Sequence, residues 1–369
     1  MYIYQHPEWP NFKWDHKTLT SVLGKVRHLQ GKLTGKMESL GFELRAEASL
    51  KTLTFDVLKT SEIEGEILNP DQVRSSLARH LGMEIAGLVE SDNKVDGVVE
   101  MMLDATQNFQ NKLTLKRLTE WNSLLFPTGK SGVHKIRVGQ FRNDANGPMQ
   151  VVSGAIGKEK VHFQAPDAAD LKKEMNLFLK WFNSTNGIDP VLKAAIAHLW
   201  FVTLHPFDDG NGRIARAIAD LQLARADENN QRFYSMSSRI RTERKEYYSI
   251  LEQTQKSDLD ITDWLNWFLN CLTGALSETD KTLIKVLDKA HFWKMNSHLA
   301  FNDRQRLMIN KLLDGFDGKL TSSKWAKITK CSPDSALRDI QDLTAMEILK
   351  KESAGGRSTH YLMNYNSGI

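Results

Sequence analysis

Along most of this chain apolar positions recur at steps of three and four, the spacing of one face of an α-helix, and only short stretches alternate as strands do. Val22, Val26, Leu29, Leu33, Met37 and Leu40 form such a stripe. Asp15 is placed to cap it and Gly41 to end it. A second stripe carries Leu50, Leu53, Val57 and Leu58 and runs into Thr60. Ahead of both, residues 2–14 mix aromatics with Pro7 and Pro10 and read as an ordered, irregular arm. Further helices are predicted over 71–81, after the Asn69-Pro70 break, and over 93–109, 115–126 and 171–182. Pro190 opens an apolar helical run, 191–204, that delivers His205 to a loop, and another helix follows over 214–225. Residues 237–255 form an amphipathic stretch, and 260–264 cap an apolar helix through Leu272.

Between 129 and 166 the pattern changes. Two β-prone runs, 149–154 and 161–163, are separated by a loop containing glycine and lysine, which predicts a hairpin. His162 reads there as an exposed residue rather than a catalytic one. Beyond Lys281 come a long helix (283–299), three shorter ones (303–313, 322–328 and 332–344) and a second hairpin (347–351 and 360–362 about Gly355-Gly356). Ser332-Pro333 caps the third short helix.

Composition changes this picture little. The chain has 369 residues, enough for two or three domains, and its 41% hydrophobic and 25% charged residues are ordinary for a soluble globular protein. A net charge of +4 is too small to require nucleic acid or an acidic membrane as partner. Cys271 and Cys331 are the only cysteines, so neither a disulfide framework nor a zinc site is suggested. The first residues lack the pattern of a signal peptide, and no run approaches the ~20 apolar residues of a membrane span. The expectation is a cytoplasmic protein with no membrane partner.

The chemistry is concentrated in His205-Pro206-Phe207-Asp208-Asp209-Gly210-Asn211-Gly212-Arg213-Ile214-Ala215-Arg216. Gly210 and Gly212 let backbone N–H groups approach an anion at the start of a helix, where the dipole favours phosphate. Arg213 and Arg216, three apart, share a helix face and can hold outer phosphates. Asp209 is a hard oxygen ligand suited to Mg²⁺ beside a polyphosphate, and His205 can take a proton near neutral pH. Singly, these features read as a helix end, a turn and a solvated face. Together they read as phosphoryl or nucleotidyl transfer.

The string resembles the signature of the Fic family, His-x-Phe-x-(Asp/Glu)-Gly-Asn-Gly-Arg-x-x-Arg, at every defined position. The resemblance implies AMPylation: AMP passes from ATP to a Ser, Thr or Tyr hydroxyl of a protein target, self-modification included. It assigns His205 as base, Asp209 as Mg²⁺ ligand, Asn211 with the Gly210 and Gly212 amides to the α-phosphate, and Arg213 and Arg216 to the β and γ phosphates. Phe207 is to anchor the loop in the core. Thr60-Ser61-Glu62-Ile63-Glu64-Gly65 fits the family's inhibitory pattern, (Ser/Thr)-x-x-x-Glu-(Gly/Asn), and its place before the core makes this a class II member. Glu64 paired with Arg216 would occupy the guanidinium needed by ATP, and Gly65 also suits the residue that ends a helix. The hairpin is similar to the Fic flap, with Gln150, Val151 and Val152 flanking adenosine or target; Tyr248, Leu251 and Gln255 are similar to the adenine pocket.

The implied fold is mainly α: an N-terminal helical domain (1–90, with the 60–65 motif), a Fic core with a small β flap (91–275), a linker helix (276–300) and a winged helix-turn-helix (301–369). On its presumed recognition helix Asp334, Asp339 and Asp342 stand against Arg338 alone, so DNA is less favoured than a protein contact, although Lys324, Lys327, Lys330, Lys350, Lys351 and Arg357 leave a weak basic rim. A homodimer stays open. So do AMP removal or transfer of another phosphate-linked group by the same site, and a DNA-binding regulator with a nucleotide-sensing core.

Overall fold

The structure, a computed structural model, describes all residues except 39, 84–86, 146, 155–157, 186, 314, 317, 353–358 and 365–369. It divides into two units, residues 1–279 and 280–369. The first begins with the arm. Ile3 is buried, Tyr2 and Tyr4 set ring edges on Phe163 (5.0 and 6.1 Å between centroids), and Trp9 meets Trp200 (5.9 Å). Lys13 pairs as an isolated bridge with the chain near Asp260, its N–H donating to Leu259 O at 2.8 Å.

Helices α1 (His16–Glu38) and α2 (Phe42–Ile63) follow, then α3 (Pro70–His80), α4 (Asn93–Gln107) and α5 (Leu115–Leu125). Their starts carry the caps expected of short polar residues: Asn69 accepts from the N–H of Asp71, Asp92 from that of Val95 and Thr114 from that of Arg117. Two short antiparallel pairs come next, β1 (Lys130–Ser131) with β2 (His134–Lys135), and β3 (Gln150–Ser153) with β4 (Lys160–Gln164). Then come α6 (Leu171–Phe182), α7 (Pro190–Leu204), α8 (Asn211–Asp227), α9 (Met236–Thr242), α10 (Arg244–Gln255) and α11 (Thr262–Met295), whose residues from 280 on belong to the second unit.

The centre of this unit is α7 against α8. Every residue of α7 from Val191 to Leu204 is buried, as suits a helix apolar on all sides. On α8, Ile214 to Ala224 are buried too. α4 and α5 pack on α8, α6 packs on α7, and α2 lies against α3, α8 and α9. The α4–α5 approach is close: a Cβ on Gly97 would stand 1.9 Å from the carbonyl oxygen of Leu124. Because that atom is backbone, a helix must shift to admit it. Gly97→Ala is therefore expected to cost about 3 kcal/mol of stability, read as a lower urea midpoint; an unchanged midpoint would contradict the packing described.

The second unit holds α12 (Asp303–Leu313), α13 (Ser322–Thr329), α14 (Pro333–Ala345) and the pair β5 (Leu349–Lys351) and β6 (Tyr361–Met363). Its core gathers Met308, Ile309, Trp325, Ile340, Leu343 and Ile348. The helix–helix–helix–hairpin order is the one anticipated, and the Ser332 cap is present, accepting from Ser335 N–H at 3.2 Å. The Gly355-Gly356 turn and Arg357 lie outside the described residues.

Three expectations need correction. The helices anticipated over 260–272 and 283–299 are one, α11, because Gly274 is accommodated within the helix and no proline intervenes. The stretch 237–255 is two helices, α9 and α10, meeting at Glu243. Asp339 is not on an exposed face: it is buried, bound by Arg304 through two N–H groups (2.7 and 2.9 Å) and by Asn302 (2.8 Å). The acid-rich surface read on α14 is thus smaller than its sequence suggests.

Candidate active site

α7 stops because His205 takes a left-handed backbone conformation (φ 49°, ψ 56°), its N–H closing on Phe201 O at 3.1 Å. That conformation is unfavourable for a residue with a Cβ and persists where the surroundings enforce it. Here they do. The buried Arg142 donates its Nε to His205 O (2.8 Å) and its backbone N–H to Pro206 O (3.0 Å). Phe207 is fully buried beside Phe141 and Phe201, as anticipated. Asn211 folds its amide back on the loop, accepting the Phe207 N–H (3.0 Å) and donating to the Phe207 carbonyl (2.8 Å). Asn122 on α5 donates to Asp209 O (3.1 Å) while accepting from the Gly139 N–H (2.9 Å). Gly210 (φ 85°) passes so near Phe126 that a Cβ would stand 2.9 Å from its ring.

The imidazole of His205 has a defined tautomer. Nδ1 lies 3.2 Å from Val202 O, an atom that can only accept, so Nδ1 carries the hydrogen and Nε2 is left with a free lone pair. Burial pushes its pKa down to about 4, with the Val202 carbonyl and the Asp209 and Glu64 charges opposing and Arg142 assisting. A lowered pKa keeps the ring neutral, and able to take a proton, throughout the neutral range. An NMR titration of the His205 ring, which is half-buried, is expected to show a midpoint near pH 4; one near the ordinary 6.5 would contradict the desolvation of the ring.

The first intrahelical bond of α8 runs from Ile214 N–H to Gly210 O (3.0 Å), so the N–H groups of Asn211, Gly212 and Arg213 precede the helix ladder. With its side chain engaged by Phe207, what Asn211 offers an anion is its backbone N–H. Asp209 sits at the same end, accepting from Ser131 Oγ and, at 2.6 Å, from Gly210 N–H. One carboxylate with exposed surface suits Mg²⁺, which takes one or two protein oxygens and completes its shell with phosphate and water. Among the described residues no group of three or more His, Cys, Asp or Glu is arranged to hold a metal unaided.

Both arginines of the motif are buried, Arg213 at 1% exposure and Arg216 at 2%, and both already hold carboxylates. Arg216 donates to Glu64 Oε1 (2.6 Å), to Thr60 Oγ1 (2.8 Å) and to Thr60 O (3.0 Å). Gly65 (φ 85°) turns the chain out of α2 and leaves Glu64 at its C-terminal cap. Glu64 Oε1 lies on the first turn of α8: a Cβ on Gly212 would stand 2.3 Å from it. Arg213, its guanidinium 5.0 Å over the Phe126 ring, donates to Glu66 Oε2 (2.7 Å), and Lys94 on α4 stands 3.3 Å from Glu66 Oε1. Glu66 and Lys94 were not singled out from sequence. Further along α2, Asp56 is fully buried and accepts from Ser235 Oγ (2.5 Å), tying that helix to the start of α9.

The remaining sequence-derived residues are placed less directly. On β3, Gln150 donates to Gln164 (3.1 Å), Val151 faces Phe163 and Val152 faces Val161. On α10, the Tyr248 hydroxyl is 3.5 Å from Glu64 Oε2, Leu251 is buried, and Gln255 donates to Thr203 Oγ1 on α7 (3.2 Å). His162 is not a free surface residue. It bridges Ser153 Oγ and Glu252 Oε2, each at 2.6 Å, and so fastens the hairpin to α10.

Residues 112–223, from just before α5 into α8, match the sequence model of the Fic/DOC family. The chain carries a Fic/DOC-family domain. Residues 2–83, which include Thr60, Glu64 and Glu66, match a domain of unknown function, DUF4172. The chain is similar to Protein adenylyltransferase Fic of Drosophila mojavensis, 29% identical over 225 residues that cover 60% of this chain and 38% of that one. It is likewise similar to the protein of the same name from Aedes aegypti, 29% identical over 202 residues, covering 53% and 36%. These matches thus span less than half the length of the curated relatives. A Fic family protein from Desulfovibrio desulfuricans shares the fold, with a TM-score of 0.55 at 20% identity over 95% of this chain and 97% of that one. The mostly helical Fic fold with small strand pairs is therefore the architecture of this chain. No helix among the described residues is long and apolar enough to cross a membrane.

Proposed function

We propose that the chain transfers AMP from Mg²⁺-ATP to the hydroxyl of a protein side chain, its own included, and that Glu64 holds this activity low. The observation that supports the reading is the turn between α7 and α8, which ends α7 on a left-handed His205 and starts α8 just after Asp209, with Arg213 and Arg216 buried on the first turns of α8. The names of the similar proteins agree with it.

In this reading the α8 N–H groups bind the α-phosphate and Arg213 and Arg216 bind the outer phosphates. Asp209 would hold Mg²⁺, which supplies charge neutralisation on the phosphates. His205 Nε2 takes the proton of the target hydroxyl as its oxygen bonds to the α-phosphorus and the bond to pyrophosphate breaks. The hydroxyl arrives on a target segment laid along the edge of β3, where backbone hydrogen bonding sets its register. Glu64 competes for the same cradle, since its carboxylate lies on Gly212 and holds Arg216. The second unit is read as a protein-contact module.

The test is labelling of the Glu64→Gly protein with ATP carrying label in the α- or the γ-phosphate. Covalent label from the α position alone is expected. Label from the γ position would mean phosphate transfer and would sink the reading.

A further inference from the structure

Glu66 sits two residues past Glu64, across the left-handed Gly65, and its backbone is fixed by a bond from its N–H to Ser61 O (3.0 Å). From there Oε2 reaches Arg213 at 2.7 Å, while Oε1 stands 3.3 Å from Lys94 on a different helix. The guanidinium it holds is 1% exposed, yet only partly satisfied: Arg213 Nε is buried with no hydrogen-bond partner among the described residues. A buried donor left open beside an ion pair is suited to an incoming acceptor, and the anion that fits the α8 end is a phosphate. One short segment thus presents two carboxylates to two phosphate-binding arginines.

We propose that Glu66 is a second gate on the nucleotide, acting on Arg213 independently of Glu64 on Arg216, with Lys94 setting how readily it lets go. This rests on the reading in which Arg213 binds an outer phosphate. The outer phosphates of ATP must displace Glu66 from Arg213, and the released carboxylate remains paired with Lys94. Removing the Glu66 charge therefore favours ATP. Removing Lys94 leaves Arg213 as the only cation on Glu66 among the described residues and disfavours ATP. The two substitutions have opposite signs, whereas a merely structural salt-bridge cluster would weaken binding or stability in both.

The experiment uses the full chain with Glu64→Gly, adding Glu66→Gln or Lys94→Ala, and measures Mg²⁺-ATP and AMP affinity by calorimetry together with KM and kcat for label transfer. Glu66→Gln is expected to tighten ATP and lower its KM about tenfold, with kcat little changed. Lys94→Ala is expected to weaken ATP about threefold. AMP, which lacks the outer phosphates, is expected to bind both variants as it binds the parent. Equal ATP affinity in all three proteins, or weaker ATP binding on Glu66→Gln, overturns the proposal. So does a fall in kcat on Glu66→Gln, which would make Glu66 an aid to Arg213 rather than its competitor. The calorimetric result stands even if no AMP is transferred, so failure of the gate and failure of the transfer reading are told apart.

Discussion

Glu64→Gly is expected to raise the initial rate of AMP incorporation about a hundredfold, the scale on which misplacing a reacting group by an ångström acts. On the proposed reading the Glu64 carboxylate stands where phosphate would bind. It holds Arg216 at 2.6 Å inside a pocket where that guanidinium is 2% exposed, and it lies on the α8 turn that would bind phosphate. On the proposed reading, ATP entering beside it would have to hold its outer phosphates off the arginine, which would shift the α-phosphorus out of line for attack. Glycine clears both places at once. The position accepts it, since Glu64 has φ −86° and ψ 3° at the helix cap. Arg216 keeps its two bonds to Thr60 and loses a charge partner, so a lower melting temperature should accompany the higher rate. Equal rates in the two proteins, measured with α-labelled ATP at saturating Mg²⁺, would remove Glu64 from any inhibitory role.

The second large effect is a loss. In the Glu64→Gly background, His205→Ala is expected to lower kcat by about 10² to 10⁴ while leaving ATP affinity nearly unchanged. The reason is the tautomer: with Nδ1–H committed to Val202 O, Nε2 is the acceptor available to an incoming hydroxyl. Alanine is strained at φ 49°, which would confuse a structural loss with a chemical one. His205→Asn supplies the control, because asparagine tolerates left-handed backbone better and provides no base. Both variants should be inactive and only the alanine protein noticeably less stable. Activity retained in the asparagine protein would assign the proton elsewhere.

Much of this was legible in order of residues, and the reasons differ from place to place. The run 191–204 announced a helix buried on all sides because that depends on local pattern alone, whereas Phe207 was expected to anchor its loop only from the resemblance of the motif to the Fic signature. Arg142 and Asn122 were not legible as supports of that loop. Each is a polar residue whose role is set by carbonyls more than 60 positions away, and nothing in their own neighbourhoods marks them as buried. Glu66 was passed over for the same reason, since its partner Arg213 lies 147 residues on and a lone glutamate after a helix end reads as solvated surface. Asp339 misled in the opposite direction: it counted as surface charge until Arg304 was seen to meet it indoors. The single helix α11 was read as two because the polar stretch 277–281 interrupts the apolar stripe, and periodicity does not report whether a backbone continues beneath polar residues.

The most direct measurement is the intact mass of wild type, Glu64→Gly and Glu64→Gly/His205→Ala after incubation with Mg²⁺-ATP. The account predicts a gain of one AMP moiety, large in the single variant, small in wild type and no larger than wild type in the double variant. A gain of phosphate alone, or an AMP gain above wild type when His205 is gone, would contradict it.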